Sequence, residues 1–156
     1  MIYYQGYTVS FQEVPDEISL VILIGDCPHR CHNCHSPRLW LAEGENLVED
    51  LDKLIDEYQD AITCVCFMGE GQDFDSLCWC IERAKERGYK TCLYTGYTNH
   101  LGAVEAGINY LKVGPYIEQL GGLDSPITNQ RFYRIEPDGR YTDLTYKFRV
   151  STGGKK

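Results

Sequence analysis

A chain of 156 residues fits one domain, long enough to bury about two-thirds of the surface its unfolded form exposes. Its net charge of −8 argues against a nucleic-acid partner, which would draw on a surplus of Lys and Arg. With no apolar run near ~18 residues and no charged-then-apolar start, neither a membrane span nor a secretory signal is expected, which points to the cytoplasm.

The chain opens with aromatic and β-branched residues (2–11) that predict one or two short edge strands before a turn at 14–17. Residues 20–24 form a continuous apolar run of the kind buried on both faces of a parallel sheet. A cysteine-rich loop follows, at the end of the strand where open α/β sheets and barrels bind ligands. Asn46 with Glu49 makes a capping pair for a helix whose stripe is Leu47, Leu51, Leu54, Ile55 and Tyr58. A second buried strand is predicted at 61–67, then a helix from Asp75 or Ser76 to Arg87, stopped by Gly88. The pattern repeats with a strand at 89–94, a short helix at 99–106 and a strand at 109–113. Residues 116–130 read as a structured loop, 131–136 and 141–150 as a terminal hairpin, and 151–156 as a frayed tail. The fold class expected is therefore α/β, one domain over 1–150. It has a parallel central sheet, N-terminal edge strands and a C-terminal hairpin, in an open sheet or partial barrel too short to close eight units.

The chemistry concentrates in Cys27, Cys31 and Cys34, a C-x3-C-x2-C run. Thiolates this close can converge on one soft metal, and three leave a four-site centre one ligand short. Three readings stay open on spacing alone. A zinc site would take His29, His32 or His35 as fourth ligand. An electron-transfer cluster would recruit a further cysteine from Cys64, Cys66, Cys78, Cys80 or Cys92. The third is an iron–sulfur cluster with one iron left open to a substrate. The other cysteines have a packing explanation: Cys64, Cys66 and Cys92 lie in apolar strands, and Cys78 and Cys80 point to different sides of a helix.

A C-x3-C-x2-C run after an early strand of an alternating β/α chain resembles the radical S-adenosylmethionine (SAM) enzymes. The segments 27–40 (CPHRCHNCHSPRLW), 94–98 (YTGYT), 113–117 (VGPYI) and 128–131 (TNQR) resemble the activating proteins of anaerobic ribonucleotide reductase. The resemblance spans most of residues 20–131. It implies a radical-SAM-type partial barrel and a [4Fe-4S] cluster held by Cys27, Cys31 and Cys34, with SAM chelated to the open iron. It also implies reductive cleavage of SAM to methionine and a 5′-deoxyadenosyl radical, which takes a hydrogen atom from a glycine Cα of the reductase. An electron donor of the flavodoxin or ferredoxin type goes with that chemistry.

By the same resemblance, Asn33 falls where the adenine is contacted, with His35 as the neighbouring alternative. Gly69 and Glu70 fall where the superfamily carries Gly-Gly-Glu or Gly-Gly-Asp: the glycine admits the backbone close to SAM and the carboxylate accepts from its amino group. Met68 stands in place of the first glycine, and no proline follows the acid. Thr95 is a further SAM contact. Homolysis needs no proton transfer, so no general acid or base is nominated. The alternatives are an activase of a different glycyl-radical enzyme, a zinc-binding module and an iron–sulfur electron carrier.

Overall fold

A computed structural model describes residues 1–31 and 37–149. Eight strands form one mixed sheet: β1 (Tyr3–Ser10), β2 (Ser19–Ile24), β3 (Glu45–Asn46), β4 (Cys64–Met68), β5 (Lys90–Tyr94), β6 (Tyr110–Val113), β7 (Arg131–Ile135) and β8 (Tyr141–Asp143). Their order is β3-β1-β2-β4-β5-β6-β7-β8. The four central strands, β2, β4, β5 and β6, run parallel. β1 is antiparallel to β2, and β7 to β6. Helices α1 (Leu47–Tyr58), α2 (Phe74–Glu86) and α3 (Leu101–Glu105) fill the connections between the parallel strands.

Alternation along the strands divides the core in two. Leu20, Ile22 and Ile24 of β2, Val65 and Phe67 of β4, Leu93 and Leu111 pack against the helices, where they meet Leu51, Ile55, Leu77 and Ile81. The intervening residues, Val21, Cys64, Cys66, Cys92 and Tyr110, form a second cluster with Val14, Phe132 and Leu144. Toward the C-terminal strand ends that second face continues as Leu23, Met68 and Tyr94, which are only partly buried.

The apolar runs land as strands within a few residues of where they are expected. The N-terminal segment is one strand. α2 begins at Phe74, one residue before Asp75 and two before Ser76, because the Asp73 carboxylate accepts from the Ser76 amide at 3.1 Å and caps the helix there. The second hairpin strand stops at Asp143. Leu144 then turns into the second core and a 3-10 turn, Thr145–Phe148, carries Phe148 onto Phe132. β3 is only two residues long and was not expected. Among the described residues, no helix is long and apolar enough to cross a membrane.

At the N-terminal edge of the sheet a buried carboxylate ties three strands together. Glu17 accepts from the Thr63 hydroxyl at 2.7 Å, the Tyr110 hydroxyl at 2.8 Å and the Lys90 ammonium at 3.1 Å. Burial, with the Glu17 bond second, pushes the Tyr110 hydroxyl well above the usual tyrosine range. Glu17→Ala therefore leaves a buried phenol without its acceptor, and equilibrium denaturation should show a loss of about 2–3 kcal/mol. A loss under about 0.5 kcal/mol, the size of a surface substitution, would mean that the network does not hold this edge.

Candidate functional site

The cysteine loop leaves β2 at Gly25 and is pinned at once. The Asp26 amide donates to Leu41 O at 2.8 Å and the Cys27 amide to Leu39 O at 2.7 Å. Asp26 (φ 60) and Arg30 (φ 47) take the left-handed conformation, which turns the loop sharply across the strand ends. The Arg30 guanidinium lies 5.9 Å from the Trp40 ring and donates to Trp40 O at 3.3 Å. Cys27 and Cys31 are both partly exposed. Cys34, Asn33 and His35 lie outside the described residues.

Cys27 and Cys31 line a cavity of about 340 Å³ over the C-terminal ends of the parallel strands. Its other walls are the Met68–Gly69–Glu70 turn after β4, the Tyr94–Thr95–Gly96 turn after β5, and Lys112 on β6. Tyr116, Leu123 and Gln130 from the long loop after β6 close the remaining side. Cys27, Cys31, Gly69, Glu70 and Thr95, which the resemblance assigns to one site, line this one cavity.

Glu70 is the electrostatic centre of that wall, with only 4% of its surface exposed. The Thr95 hydroxyl donates to its Oε2 at 2.6 Å, His29 Nε2 meets its Oε1, and His100 Nε2 stands 3.5 Å from Oε2. Thr95 is itself 1% exposed, and its oxygen accepts from the Tyr97 amide at 3.1 Å. Its single hydroxyl proton therefore goes to Glu70, and its link to anything in the cavity runs through that carboxylate.

Gly69 has a reason internal to the fold. It sits at φ +107, and a Cβ there would lie 3.2 Å from Ile24 O. Its freedom lets β4 turn beside β2 and aims Glu70 inward. Gly96 answers a different constraint: a Cβ on it would lie 2.6 Å from the His29 ring, so the missing side chain makes room for that imidazole.

Four site residues were absent from the sequence expectations in these roles. His29, a candidate fourth zinc ligand on spacing, reaches Glu70 instead. His100 caps α3, its Nδ1 accepting from the Ala103 amide at 3.1 Å, and no spacing links it to Glu70. Lys112 donates to Gly114 O at 2.9 Å and lies 5.9 Å from the Tyr94 ring; a lysine inside an apolar strand was the available signal. Gln130, 5% exposed, lay within a segment quoted only for its resemblance.

The remaining thiols sit in other surroundings. Burial pushes the Cys80 thiol up to about 12, and raises Cys64 and Cys92 well above the usual range. Cys78, half-buried and also raised by burial, points its sulfur at Gly102 O, 3.8 Å away. Protonated thiols in apolar surroundings are poor metal ligands. Among the described residues, no three His, Cys, Asp or Glu side chains are grouped to hold a metal ion.

Gly69→Ala would force a side chain into a left-handed position against the Ile24 carbonyl. Thermal or denaturant unfolding should register a loss of at least about 1 kcal/mol. Stability equal to the parent would show that the turn relaxes freely.

Comparison with protein-family models, with curated proteins and with solved structures returned no match.

Proposed function

We propose that the protein is a radical SAM activase that generates a glycyl radical on anaerobic ribonucleotide reductase. The observation that carries the reading is the shared cavity: Cys27 and Cys31 face the same space as Gly69, Glu70 and Thr95, at the C-terminal edge of parallel strands. The donor chemistry suits the group. Two partly exposed thiols stand on one wall, and the third, Cys34, belongs to the same loop. When bound, a [4Fe-4S] cluster with SAM supplies the one-electron chemistry that ends in removal of a hydrogen atom from a glycine Cα.

The chain's own residues have narrower tasks. Cys27, Cys31 and Cys34 hold the iron. Glu70 presents an acceptor to the amino group of SAM; Thr95 donates to Oε2 and His29 meets Oε1, against roughly four acceptor positions on a carboxylate, which leaves capacity for a ligand. Thr95 positions Glu70. Asn33 and His35 are proposed on the adenine side. The apolar part of the wall, Leu39, Met68, Tyr94 and Leu123, excludes water from a reactive radical. A flavodoxin- or ferredoxin-type carrier supplies the electron. The zinc reading is weakened at its nearest described fourth ligand, because His29 directs Nε2 at Glu70.

Two measurements test this. Anaerobic reconstitution should give a brown protein, whose reduction with SAM and the reductase yields the doublet EPR signal of a glycyl radical. A colourless zinc protein, or SAM left intact with and without the reductase, would sink the proposal. In parallel, Cys27→Ala or Cys31→Ala should abolish iron binding, whereas Cys64→Ala and Cys66→Ala should keep the parent iron content. Iron lost from either strand variant would place the ligands elsewhere.

A further inference from the structure

His100 has a built environment out of proportion to capping a five-residue helix. The residue is 6% exposed. Its Nδ1 accepts from the Ala103 amide at 3.1 Å, so the ring proton resides on Nε2, the atom that faces Glu70 Oε2 at 3.5 Å. Phe74 stacks on the imidazole with centroids 4.8 Å apart and planes within 25°. Phe74 can lie there only because residue 102 is glycine, since a Cβ at Gly102 would fall 2.1 Å from the Phe74 ring. Burial lowers the affinity of His100 for a second proton, against the pull of Glu70, and favours the neutral ring. A backbone amide, an aromatic ring and a glycine thus fix one tautomer and one orientation, and both direct an N–H at the carboxylate that borders the cavity.

We propose that His100 is a positioning residue: it holds the Glu70 carboxylate in the orientation that accepts the ammonium group of SAM. The inference rests on the activase reading and adds to it a residue from α3, outside the loops that line the cavity. His100 acts through Glu70 and does not itself touch the ligand. Thr95, just after β5, donates to the same oxygen, so Oε2 faces two groups, while among the described residues Oε1 meets His29.

Two conservative substitutions separate positioning from capping. In H100N the shorter amide keeps an oxygen near the Nδ1 position and so keeps the cap, but no donor reaches Glu70. In H100Q the longer amide places a donor near the Nε2 position and gives up the cap. Each protein is reconstituted anaerobically and left unreduced, its iron and sulfide are matched to the parent, and SAM binding is measured by equilibrium dialysis beside the melting temperature. H100N should bind SAM about fivefold more weakly, the size of one ordinary polar contact, while melting like the parent. H100Q should stay within about twofold of parent affinity and melt lower.

Parent-like affinity in H100N, or losses of affinity that simply follow losses of melting temperature, would overturn the proposal and leave His100 as a cap. Parent protein that binds no SAM would overturn the activase reading, and this role with it. A ligand-independent check is the ring tautomer, read from ¹⁵N NMR of the protein before reconstitution: a proton on Nε2 supports the positioning role, and one on Nδ1 overturns it.

Discussion

The structure turns on one buried carboxylate. Placing Glu70 out of water costs several kcal/mol unless its oxygens find donors, and each hydrogen bond to a charged group returns about 1.5–3 kcal/mol. Its partners come from two segments: His29 from the loop after β2, and Thr95 and His100 from the connection between β5 and α3, with the Thr95 hydroxyl donating and His100 Nε2 standing 3.5 Å away. The two segments lie on either side of Glu70 in sequence, and each meets a different oxygen of the carboxylate. The C-terminal edge of the sheet is therefore cross-linked at the point where its strands would otherwise splay into independent loops.

That cross-link determines which cysteines are available for chemistry. Alternation along β4 and β5 sends Cys64, Cys66 and Cys92 to the face opposite the helices, where Val21, Tyr110 and Phe132 enclose them. Cys80 faces the helix-side core. Desolvation keeps Cys64, Cys80 and Cys92 as thiols, and the packing of these side chains fills volume. Cys27 and Cys31 differ because the loop that carries them is stretched across the strand ends by Leu39 and Leu41, away from either core. Seven described cysteines thus divide by environment into five that pack and two that face a cavity.

Much of this was legible wherever a local pattern decides local structure. The apolar runs ending at Ile24, Met68, Tyr94 and Val113 needed no partner to be read as strands, since their burial on both faces is written in their composition. The α1 stripe and its Asn46 cap were equally local. The misses share a physical cause. The strand after Pro137-Asp138-Gly139 ends early because Leu144 and Phe148 find the core around Phe132, a contact more than ten residues away. His29 and His100 meet Glu70 across separations of 41 and 30 residues, and no periodicity encodes such a contact. Spacing singled out Cys27 and Cys31, and the resemblance Gly69, Glu70 and Thr95, but neither indicated that Thr95 turns its hydroxyl onto Glu70. Cys34, Asn33 and His35 fall outside the described residues, so the cysteine run is legible further in sequence than in structure.

His29 joins the two halves of the site. It lies two residues from Cys27 and two from Cys31, and its ring is held against Glu70 on one side and edge-on to Tyr97 at 4.5 Å on the other. Gly96 leaves no room for that ring to shift toward β5 without meeting backbone, because even a methyl group there would overlap it. A displacement of the cysteine loop consequently carries a donor away from Oε1, while Oε2 stays anchored by Thr95 and His100. The carboxylate is asymmetric by construction: one oxygen belongs to the scaffold, and the other shares its partner with the loop that bears the thiols.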